Sequence, residues 1–337
     1  MWTEEKLNEM LIEPSDRLVE DIKKIKGDII VLGAGGKMGP SLCVLAKRAI
    51  DKAGLQKRVI AVSRGSDKIG IDYMKENGVE FIAMDLLDFD ALKTLPDVEN
   101  VIYMAGKKFG TDGAETATWA MNATLPAMVA DKYKNSNIVV FSTGCVYPIV
   151  TTSDLLDENT KPAPIGDYSM SCLARERAFQ HAADRYGTKV FIYRLSYAID
   201  LRYGVLYDLA NKILSDTPIS LAIPYFKYVW QGYANEVAIR ALLHATAPAN
   251  IMNVSSPEQI SIKKAAIELG RLLGKEPIFE CEGGNIGGMI DTSKAIETFG
   301  YPSVPEKTLI RWQAEYLLDG GRTLNKPTHF EEYKGVY

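Results

Sequence analysis

Six short apolar runs, rich in β-branched residues, recur at regular spacing along the first 200 residues. They occupy 28–34, 58–64, 79–85, 100–106, 137–143 and 189–196. Helical or turn-like segments separate them, including a helix predicted from about Pro40 to Ala53. This alternation is typical of βαβ units, whose strands form a parallel sheet that is buried on both faces.

The pattern differs on either side of this series. Residues 1–26 are predicted to be a helical extension, with apolar residues at helical spacing after Ser15, a candidate N-cap. Segment 202–228 is rich in Tyr, Pro and Ile and allows no confident placement of strands. Helices are predicted again at 234–245 and 261–273, the second ending at a glycine C-cap.

These elements predict an α/β fold. Residues 27–200 would form a Rossmann-like, doubly wound parallel sheet that binds NAD(P). Residues 201–337 would form mostly a smaller C-terminal α+β substrate lobe and a polar, aromatic tail, with helix 234–245 returning to the first domain.

Composition narrows the class of protein. The chain has 337 residues, 47% of them hydrophobic, and a net charge of −4, which argues against disorder and against nucleic acid as a partner. No apolar stretch approaches the length of a membrane span, and the acidic start does not resemble a signal peptide. The cysteines and histidines are too scattered for a metal site, and four unpaired cysteines favour a cytoplasmic protein.

A glycine-rich turn follows the first strand and precedes a helix. Gly33, Gly36 and Gly39 recur at three-residue intervals, with Lys37 and Met38 inside the same turn. The first glycine permits the tight turn, the second lets the backbone approach a pyrophosphate, and the third lets helix and strand pack closely. The helix N-terminus then presents N–H groups to the anion, so this turn is a candidate dinucleotide site.

The ends of the next strands suggest how the rest of the dinucleotide is held. The second strand ends at Ser63 and Arg64, without the acidic residue that would bind a ribose 2′-hydroxyl. Arg64 can pair with a 2′-phosphate instead, which favours NADP over NAD, although a solvated arginine is also common. The later candidates for cofactor binding are Asp85 and Leu86 after the third strand and Ala105, Gly106 and Lys107 after the fourth.

Several ordered motifs between residues 28 and 310 together resemble the extended short-chain dehydrogenase/reductases, the NAD-dependent epimerase/dehydratase family. They are GAGGKMG, Asp85-Leu86, VIYMAG, Asn122 in WAMNATLP, FSTGCVYP, DYSMSCLARE, MNVSSPEQISIKKAA and DTSKAIETFGY. The resemblance implies a nicotinamide cofactor held between a Rossmann-like domain and a smaller substrate domain. It also implies that Asn122, Tyr168 and Ser196 lie at the cofactor, and that the protein forms homodimers.

The same resemblance implies a catalytic set of a Ser or Thr, a Tyr, and a Lys four residues after that Tyr. Thr143 and Tyr168 match the first two members, but position 172 is Cys172. A cation about 5 Å from a phenol lowers its pKa by roughly two pH units at an effective dielectric near 20, and a neutral thiol supplies none of this.

Three interpretations of Cys172 remain open. Another cation serves Tyr168, with Arg175 on the same helix and Lys107 as candidates, and the oxidised nicotinamide is itself cationic and would help Tyr168 ionise in the oxidising direction. Alternatively, Cys172 itself takes part in chemistry, which requires an exposed thiolate in an electropositive setting. In the third interpretation, the protein binds its cofactor without catalysis.

Candidate substrate-binding residues are chosen for hydrogen bonding, charge or aromatic stacking. They are Tyr147, Tyr197, Arg202, Trp230 and Gln231, although surface exposure for Arg202 and core packing for Trp230 are the commoner states. The sequence thus predicts an NAD(P)-dependent oxidoreductase or epimerase that acts by hydride transfer on a sugar, sugar acid or nucleotide sugar. The alternative is a non-catalytic dinucleotide-binding sensor or assembly protein that retains the fold.

Overall fold

The computed structural model describes residues 1–108, 110–281 and 283–335. The strands of this part are β1 (Ile29–Leu32), β2 (Val59–Ser63), β3 (Glu80–Ala83), β4 (Asn100–Tyr103), β5 (Asn137–Thr143), β6 (Leu155–Leu156), β7 (Lys189–Leu195), β8 (Tyr197–Ile199), β9 (Tyr225–Trp230), β10 (Asn250–Val254), β11 (Gln259–Ser261) and β12 (Met289–Ile290). The helices are α1 (Glu4–Ile12), α2 (Asp16–Lys24), α3 (Gly39–Lys52), α4 (Lys68–Glu76), α5 (Phe89–Thr94), α6 (Glu115–Trp119), α7 (Leu125–Lys132), α8 (Gly166–Tyr186), α9 (Val205–Leu214), α10 (Gln231–Arg240), α11 (Ile262–Leu273), α12 (Ser293–Phe299) and α13 (Glu306–Leu318).

A seven-stranded sheet in the order β3-β2-β1-β4-β5-β7-β10 forms the centre of the molecule. All its strand pairs are parallel. Its strands are the six predicted ones plus β10, which the C-terminal region contributes. The chain order reverses between β1 and β4, and in open sheets of this kind ligands bind at that point, beyond the carboxyl ends of the strands.

Both faces of the sheet are covered, as the continuous apolar runs predict. Val31 packs in one buried cluster and Ile30 and Leu32 in the other, because successive side chains on a strand point to opposite faces. Two N-terminal helices, α1 and α2, pack on α3, and Ser15 caps α2 by accepting a hydrogen bond from the Leu18 amide. Helix α10 also packs on α3 and α2.

The smaller lobe is built from strands β8, β9 and β11, with β12 pairing β6 in a separate ladder. The segment that sequence reasoning left without strands contains the helix α9 as well as β9. The tail packs along α9, where the carboxylate of Asp208 accepts a hydrogen bond from the Thr328 amide at 2.8 Å. In the part of the chain that the structure describes, no helix is both long and apolar enough to cross a bilayer.

Candidate active site

The glycine-rich turn has the geometry that its spacing predicts. Gly33 has a φ of +92°, and a Cβ there would lie 2.5 Å from the Ala105 amide nitrogen across the reversal point of the sheet. A Cβ on Gly39 would lie 2.1 Å from the Ala34 carbonyl oxygen, so α3 packs against the turn only because position 39 is glycine. A Cβ on Gly36 would meet its nearest neighbour at 3.6 Å, which leaves this backbone open to a ligand.

Helix α3 begins at this turn with Pro40 in its first turn, and among the described residues no side chain caps it. Its first amides therefore face the space beyond Gly36, where the helix dipole favours an anion. These features fit the diphosphate of a dinucleotide.

The strand ends beside the turn present the other predicted dinucleotide contacts at the same edge of the sheet. Arg64 is exposed after β2, and Ser63 is half-buried against Gly35. The carboxylate of Asp85 is exposed and accepts a hydrogen bond from the Leu87 amide at 3.0 Å.

Asn122 lies in a π-helical turn, Ala120–Thr124, and is fully buried. Its Oδ1 accepts from the Lys107 amide at 2.8 Å and from Arg175 at 2.7 Å, while its Nδ2 donates to the Lys107 carbonyl at 2.8 Å and to Ser171 Oγ at 3.1 Å. The amide has no hydrogen-bonding capacity left for a cofactor. Asn122 therefore braces the loop after β4, which corrects the expectation that it lines the cofactor site.

The loop after β4 is also shaped by Arg175. A Cβ on Gly106 would lie 2.5 Å from an Nη atom of Arg175, so the small residue at this position makes room for the guanidinium. Lys107, expected at the cofactor, is half-buried and held by Asn122 through its backbone. The neighbouring Lys108 lines the cavity at the carboxyl ends of β5 and β7 that is described next.

A cavity of about 440 Å³ lies at the carboxyl ends of β5 and β7, between the main sheet and the smaller lobe. Its wall includes the predicted residues Lys37, Met38, Thr143, Tyr168, Ser196 and Tyr197. The fold thus brings the glycine-rich turn, both matched catalytic residues and one substrate candidate to a single space.

Tyr168 is part of this cavity wall. Burial raises its pKa well above the ordinary value, and the neighbouring thiols Cys172 and Cys145 act in the same direction. The Arg175 guanidinium and a hydrogen bond with Thr143 act in the opposite direction, but burial dominates. Without further positive charge, Tyr168 is a phenol at neutral pH.

Cys172 is fully buried next to Tyr168, with which it shares a side-chain hydrogen bond. Burial raises the pKa of its thiol, and the nearby Arg175 opposes this only in part. A reactive cysteine needs an accessible thiolate. The geometry therefore argues against the interpretation in which Cys172 takes part in chemistry.

Lys37 reaches from the glycine-rich turn into the cavity. Its ammonium donates to the Ala198 carbonyl at 2.7 Å and lies 4.9 Å from the centre of the Tyr203 ring. Burial lowers the pKa of Lys37 to about 8, although the Asp200 carboxylate favours the charged form.

The lowered pKa of Lys37 predicts a pH-dependent contribution to stability. Between pH 8 and its ordinary value of 10.5, the unfolded chain holds a proton on Lys37 that the folded chain has released. The free energy of unfolding therefore rises with pH in this window, by up to about 1.4 kcal/mol per pH unit. In denaturant unfolding, the unfolding free energy of wild type should therefore increase relative to that of Lys37→Met as the pH rises from 8 to 10.

The exposed Lys161 provides the matched control. Between wild type and Lys161→Met, the difference in unfolding free energy should stay flat from pH 8 to 10. A flat difference for Lys37→Met as well would contradict the assigned pKa.

Two of the substrate candidates, Tyr147 and Arg202, bind other side chains of the protein. Tyr147 is buried, where its hydroxyl donates to Asn253 at 2.8 Å and accepts from Arg194 at 3.0 Å. Arg202 pairs with Asp200 at 2.7 Å, and also bonds to α1. Both lie outside the cavity, which corrects their assignment as substrate contacts.

Trp230 and Gln231 also lie outside the cavity wall. Trp230 is 4% exposed, and its ring packs edge-on against Trp312 at 5.7 Å between centres. Gln231 is fully buried and donates to Ser41 Oγ at 3.0 Å. Their side chains stabilise the packing of α10 and do not stack on a sugar, which corrects that expectation.

The cavity wall also contains residues that sequence reasoning did not assign. The main ones are Lys108, Cys145, Tyr203, Tyr225, Phe226, Lys227, Gln259, Phe330 and Glu332. Lys108 had a signal, because it follows the fourth strand at the reversal point. The residues of β9 and of the tail had none, because they reach the cavity through contacts distant in sequence.

Comparisons with known proteins agree with this arrangement. The sequence model of the NAD dependent epimerase/dehydratase family matches residues 29–208, just over half of the chain. Comparison with curated proteins found no significant match.

Several solved structures share the fold. UDP-glucuronic acid 4-epimerase from Bacillus cereus, in complex with NAD, has a TM-score of 0.71 at 19% identity, covering 87% of this chain and 99% of its own. UDP-glucose 4-epimerase from Thermotoga maritima, with UDP-glucose, has a TM-score of 0.70 at 18% identity with the same coverage. UDP-glucose 4-epimerase from Thermus thermophilus, in complex with NAD, has a TM-score of 0.68 at 20% identity, covering 86% and 99%.

Proposed function

The chain belongs to the NAD-dependent epimerase/dehydratase family, and on this premise we propose that it is an NAD(P)-dependent oxidoreductase or epimerase of a carbohydrate-like substrate. The observation that carries the proposal is the hydrogen-bonded pair of Thr143 and Tyr168 on the wall of a 440 Å³ cavity. The cavity adjoins the glycine-rich turn, so a dinucleotide held there would reach the same space.

The cofactor would be held by groups already described. The open backbone at Gly36 and the first amides of α3 would bind the diphosphate, and Ser196 and Tyr168 would border the nicotinamide end. When bound, the nicotinamide supplies the acceptor and donor of hydride.

The proton transfer falls to Tyr168. In the oxidising direction its phenolate would take the proton of a secondary hydroxyl, and in the reducing direction its phenol would return one. Thr143 would hydrogen-bond the same substrate oxygen and keep it in line with Tyr168. Because burial raises the pKa of Tyr168, the first role requires a positive charge close to the phenolate.

A substrate with hydroxyl groups suits the cavity. Its wall combines aromatic rings at Tyr197 and Phe226 with the amide of Gln259 and the ammonium of Lys227. Two of the structural neighbours are described in complex with UDP-glucose and with UDP-glucuronic acid and NAD. We therefore propose a sugar, a sugar acid or a nucleotide sugar as substrate.

A panel of these compounds tests the proposal. A dehydrogenase keeps the hydride on the cofactor, so reduced-cofactor fluorescence accumulates on mixing. An epimerase returns the hydride, so fluorescence stays low while NMR detects the inverted sugar. Dinucleotide binding without either product would favour the alternative, a non-catalytic sensor or assembly protein, for which the buried thiol of Cys172 beside Tyr168 is the supporting observation.

The exposed Arg64 leads us to propose NADP over NAD as the cofactor. Its guanidinium follows β2, where a 2′-phosphate would lie, and Ser63 adds a hydroxyl. Arg64→Ala should weaken NADP binding by about tenfold or more, since a charge-assisted hydrogen bond contributes about 1.5–3 kcal/mol. NAD affinity should change less than twofold.

Titration calorimetry with each dinucleotide measures both affinities. Arg177→Ala, on the exposed face of α8, serves as the control and should leave both unchanged. Equal losses for NADP and NAD in Arg64→Ala would refute the contact with the 2′-phosphate.

We also propose that the protein forms a homodimer, which sedimentation of the full chain tests.

A further inference from the structure

Position 172 poses a specific electrostatic problem for the proposed function. The family resemblance places a lysine there, four residues after the catalytic tyrosine, and this chain has a buried thiol. A phenolate at Tyr168 would be stabilised by neither Cys172 nor Cys145, both of which disfavour it. If Tyr168 works as a base, a cation must reach it from another element.

We propose that Lys108, from the loop after β4, is the positioning residue that supplies this cation. The positive charge that the family resemblance places at position 172 on α8 would then come from a different element. This inference rests on the proposed function. The ammonium of Lys108 lies 5.8 Å from the centre of the Tyr168 ring and on the wall of the same cavity. It is also 5.8 Å from the ring of Tyr197.

The location of Lys108 in the fold explains how a loop residue can serve this purpose. The loop starts where the chain order of the sheet reverses, the position at which the glycine-rich turn and the cavity meet. A cation near a phenol has little effect on the neutral hydroxyl and acts mainly on the phenolate, because only the phenolate carries charge. Lys108 therefore acts at the moment the proton leaves Tyr168.

Hydrogen bonds join the start of this loop to the helix that carries Tyr168. Asn122 holds both backbone groups of Lys107, the residue before Lys108, and donates to Ser171 Oγ at 3.1 Å. Ser171 Oγ in turn donates to the Tyr168 carbonyl at 2.9 Å. One buried amide thus connects the backbone next to Lys108 to the backbone of Tyr168.

Other titratable and charged groups face the pair from each neighbouring element. They are Cys145 after β5, Cys172 and Arg175 on α8, Tyr197 on β8, Asp208 on α9, and Glu332 in the tail. Burial lowers the pKa of Lys108, while Cys145, Cys172 and Asp208 favour its charged form. The ammonium is also within 3.4 Å of the Thr328 carbonyl, which accepts its hydrogen bond.

Arg175 is the competing source of charge. Its guanidinium is buried and donates to the Phe141 carbonyl at 2.8 Å and to Asn122 Oδ1 at 2.7 Å. These bonds hold it 5.8 Å over the ring of Tyr103, and its effect on Tyr168 does not overcome burial. Lys108 lies on the wall of the cavity, where Arg175 does not.

The test measures the pKa of Tyr168 directly and needs no substrate. The full-length protein is labelled with ¹³Cζ-tyrosine and saturated with NADP⁺, and its NMR signals are followed from pH 7 to the alkaline limit at which the protein still stays folded, because burial raises the pKa of Tyr168 well above its ordinary value. The signal of Tyr168 is assigned by its loss in Tyr168→Phe. In Lys108→Gln we expect ionisation of Tyr168 to begin about two pH units higher than in wild type, or to leave the range in which the protein stays folded; two pH units is the effect of one charge about 6 Å from the phenolate at an effective dielectric near 20.

Lys108→Arg keeps the charge and should keep the pKa of Tyr168 close to wild type. Lys134→Gln is the matched control, since this exposed lysine lies 5.5 Å from the ring of another tyrosine, Tyr186. It should leave Tyr168 unchanged. If Lys108→Gln does not fold, Lys108→Met provides the same measurement with an apolar side chain. An unchanged pKa of Tyr168 in the folded variant would overturn the proposal and leave Arg175 as the source of charge.

Relocating the lysine gives a second, independent outcome. The double variant Lys108→Gln/Cys172→Lys places an ammonium at the position that the resemblance predicts, and should return the pKa of Tyr168 toward its wild-type value. A folded double variant that titrates like Lys108→Gln would contradict the electrostatic role.

The NMR result also separates this inference from the proposed function. If the pKa of Tyr168 depends on Lys108 but the protein turns over no compound of the panel, the inference holds and the proposed function is wrong. If the protein turns over a compound but the pKa of Tyr168 does not depend on Lys108, the proposed function holds and the inference is wrong.

Discussion

Replacing Tyr168 with phenylalanine is expected to reduce hydride transfer by about 10²–10⁴-fold, because the proposed mechanism assigns the exchange of the substrate proton to this phenol. The aromatic ring remains, so the cavity wall and the hydrogen bonds that join α8 to the loop after β4 stay in place. Dinucleotide affinity should therefore change little. Stopped-flow measurement of reduced cofactor, together with titration calorimetry, gives both quantities for the same preparation.

Tyr186→Phe is the matched control for this experiment. Tyr186 lies at the other end of the same helix, α8, and is 47% exposed. Loss of its hydroxyl should leave turnover and affinity at wild-type values. Turnover of Tyr168→Phe within a few-fold of wild type would exclude Tyr168 as the acid–base group and with it the mechanism proposed for this cavity.

The central sheet was predictable because its strands leave a strong local signal. Each of the six predicted runs contains a strand that lies within three residues of the predicted bounds. Parallel strands are buried on both faces, so they appear as continuous apolar runs ending where loops begin. The irregular helix at Asn122 was also foreseeable, because an asparagine close to Thr124 and Pro126 disfavours a regular helix, and a π-turn forms there.

The substrate side was less predictable, because chemical type alone does not tell which partner a side chain finds. Arg202 has the charge to clamp an anion, but Asp200 is two residues away and Glu4, from the far end of the chain, also pairs with it. Trp230 has the ring to stack on a sugar, but Trp312 packs against it. Such contacts depend on how distant segments pack, which periodicity does not encode.

Lys107 and Lys108 illustrate the same limit within a single loop. Sequence reasoning names Lys107 as the cofactor contact, whereas the backbone of Lys107 is held by Asn122 and the next residue, Lys108, lines the cavity. A shift of one residue in a loop reverses which side chain reaches a site. No local pattern sets that register, since a buried amide on another helix does so.

Sequence reasoning also missed a buried ion pair between α8 and β7. Glu176 on α8 and Arg194 on β7 form a two-bonded ion pair, with distances of 2.8 and 2.9 Å, and their side chains are 0% and 2% exposed. Ser142 Oγ donates to the same carboxylate at 2.5 Å, and Arg194 also donates to the hydroxyl of Tyr147. The pair therefore joins β7 and α8 to β5 at Ser142, the residue before Thr143.

Arg194→Met is expected to lower the free energy of unfolding by about 3–5 kcal/mol, since it leaves the Glu176 carboxylate buried without its cation. Urea unfolding followed by circular dichroism measures this loss. Arg177→Met, in which an exposed arginine of α8 loses only its contact with Gln180, should change stability by less than about 0.5 kcal/mol.

The double variant Glu176→Leu/Arg194→Met separates the cost of an orphaned charge from the value of the pair. If desolvation is the dominant cost, the double variant should be more stable than Arg194→Met alone, because no unpaired charge remains in the interior. A double variant as unstable as Arg194→Met alone would mean that the two residues stabilise the fold as a unit, whereas a loss equal to the sum of both single losses would mean that no coupling energy joins them. In either case Ser142 loses its carboxylate partner, so we expect Thr143, the next residue on β5, to be held less firmly against Tyr168.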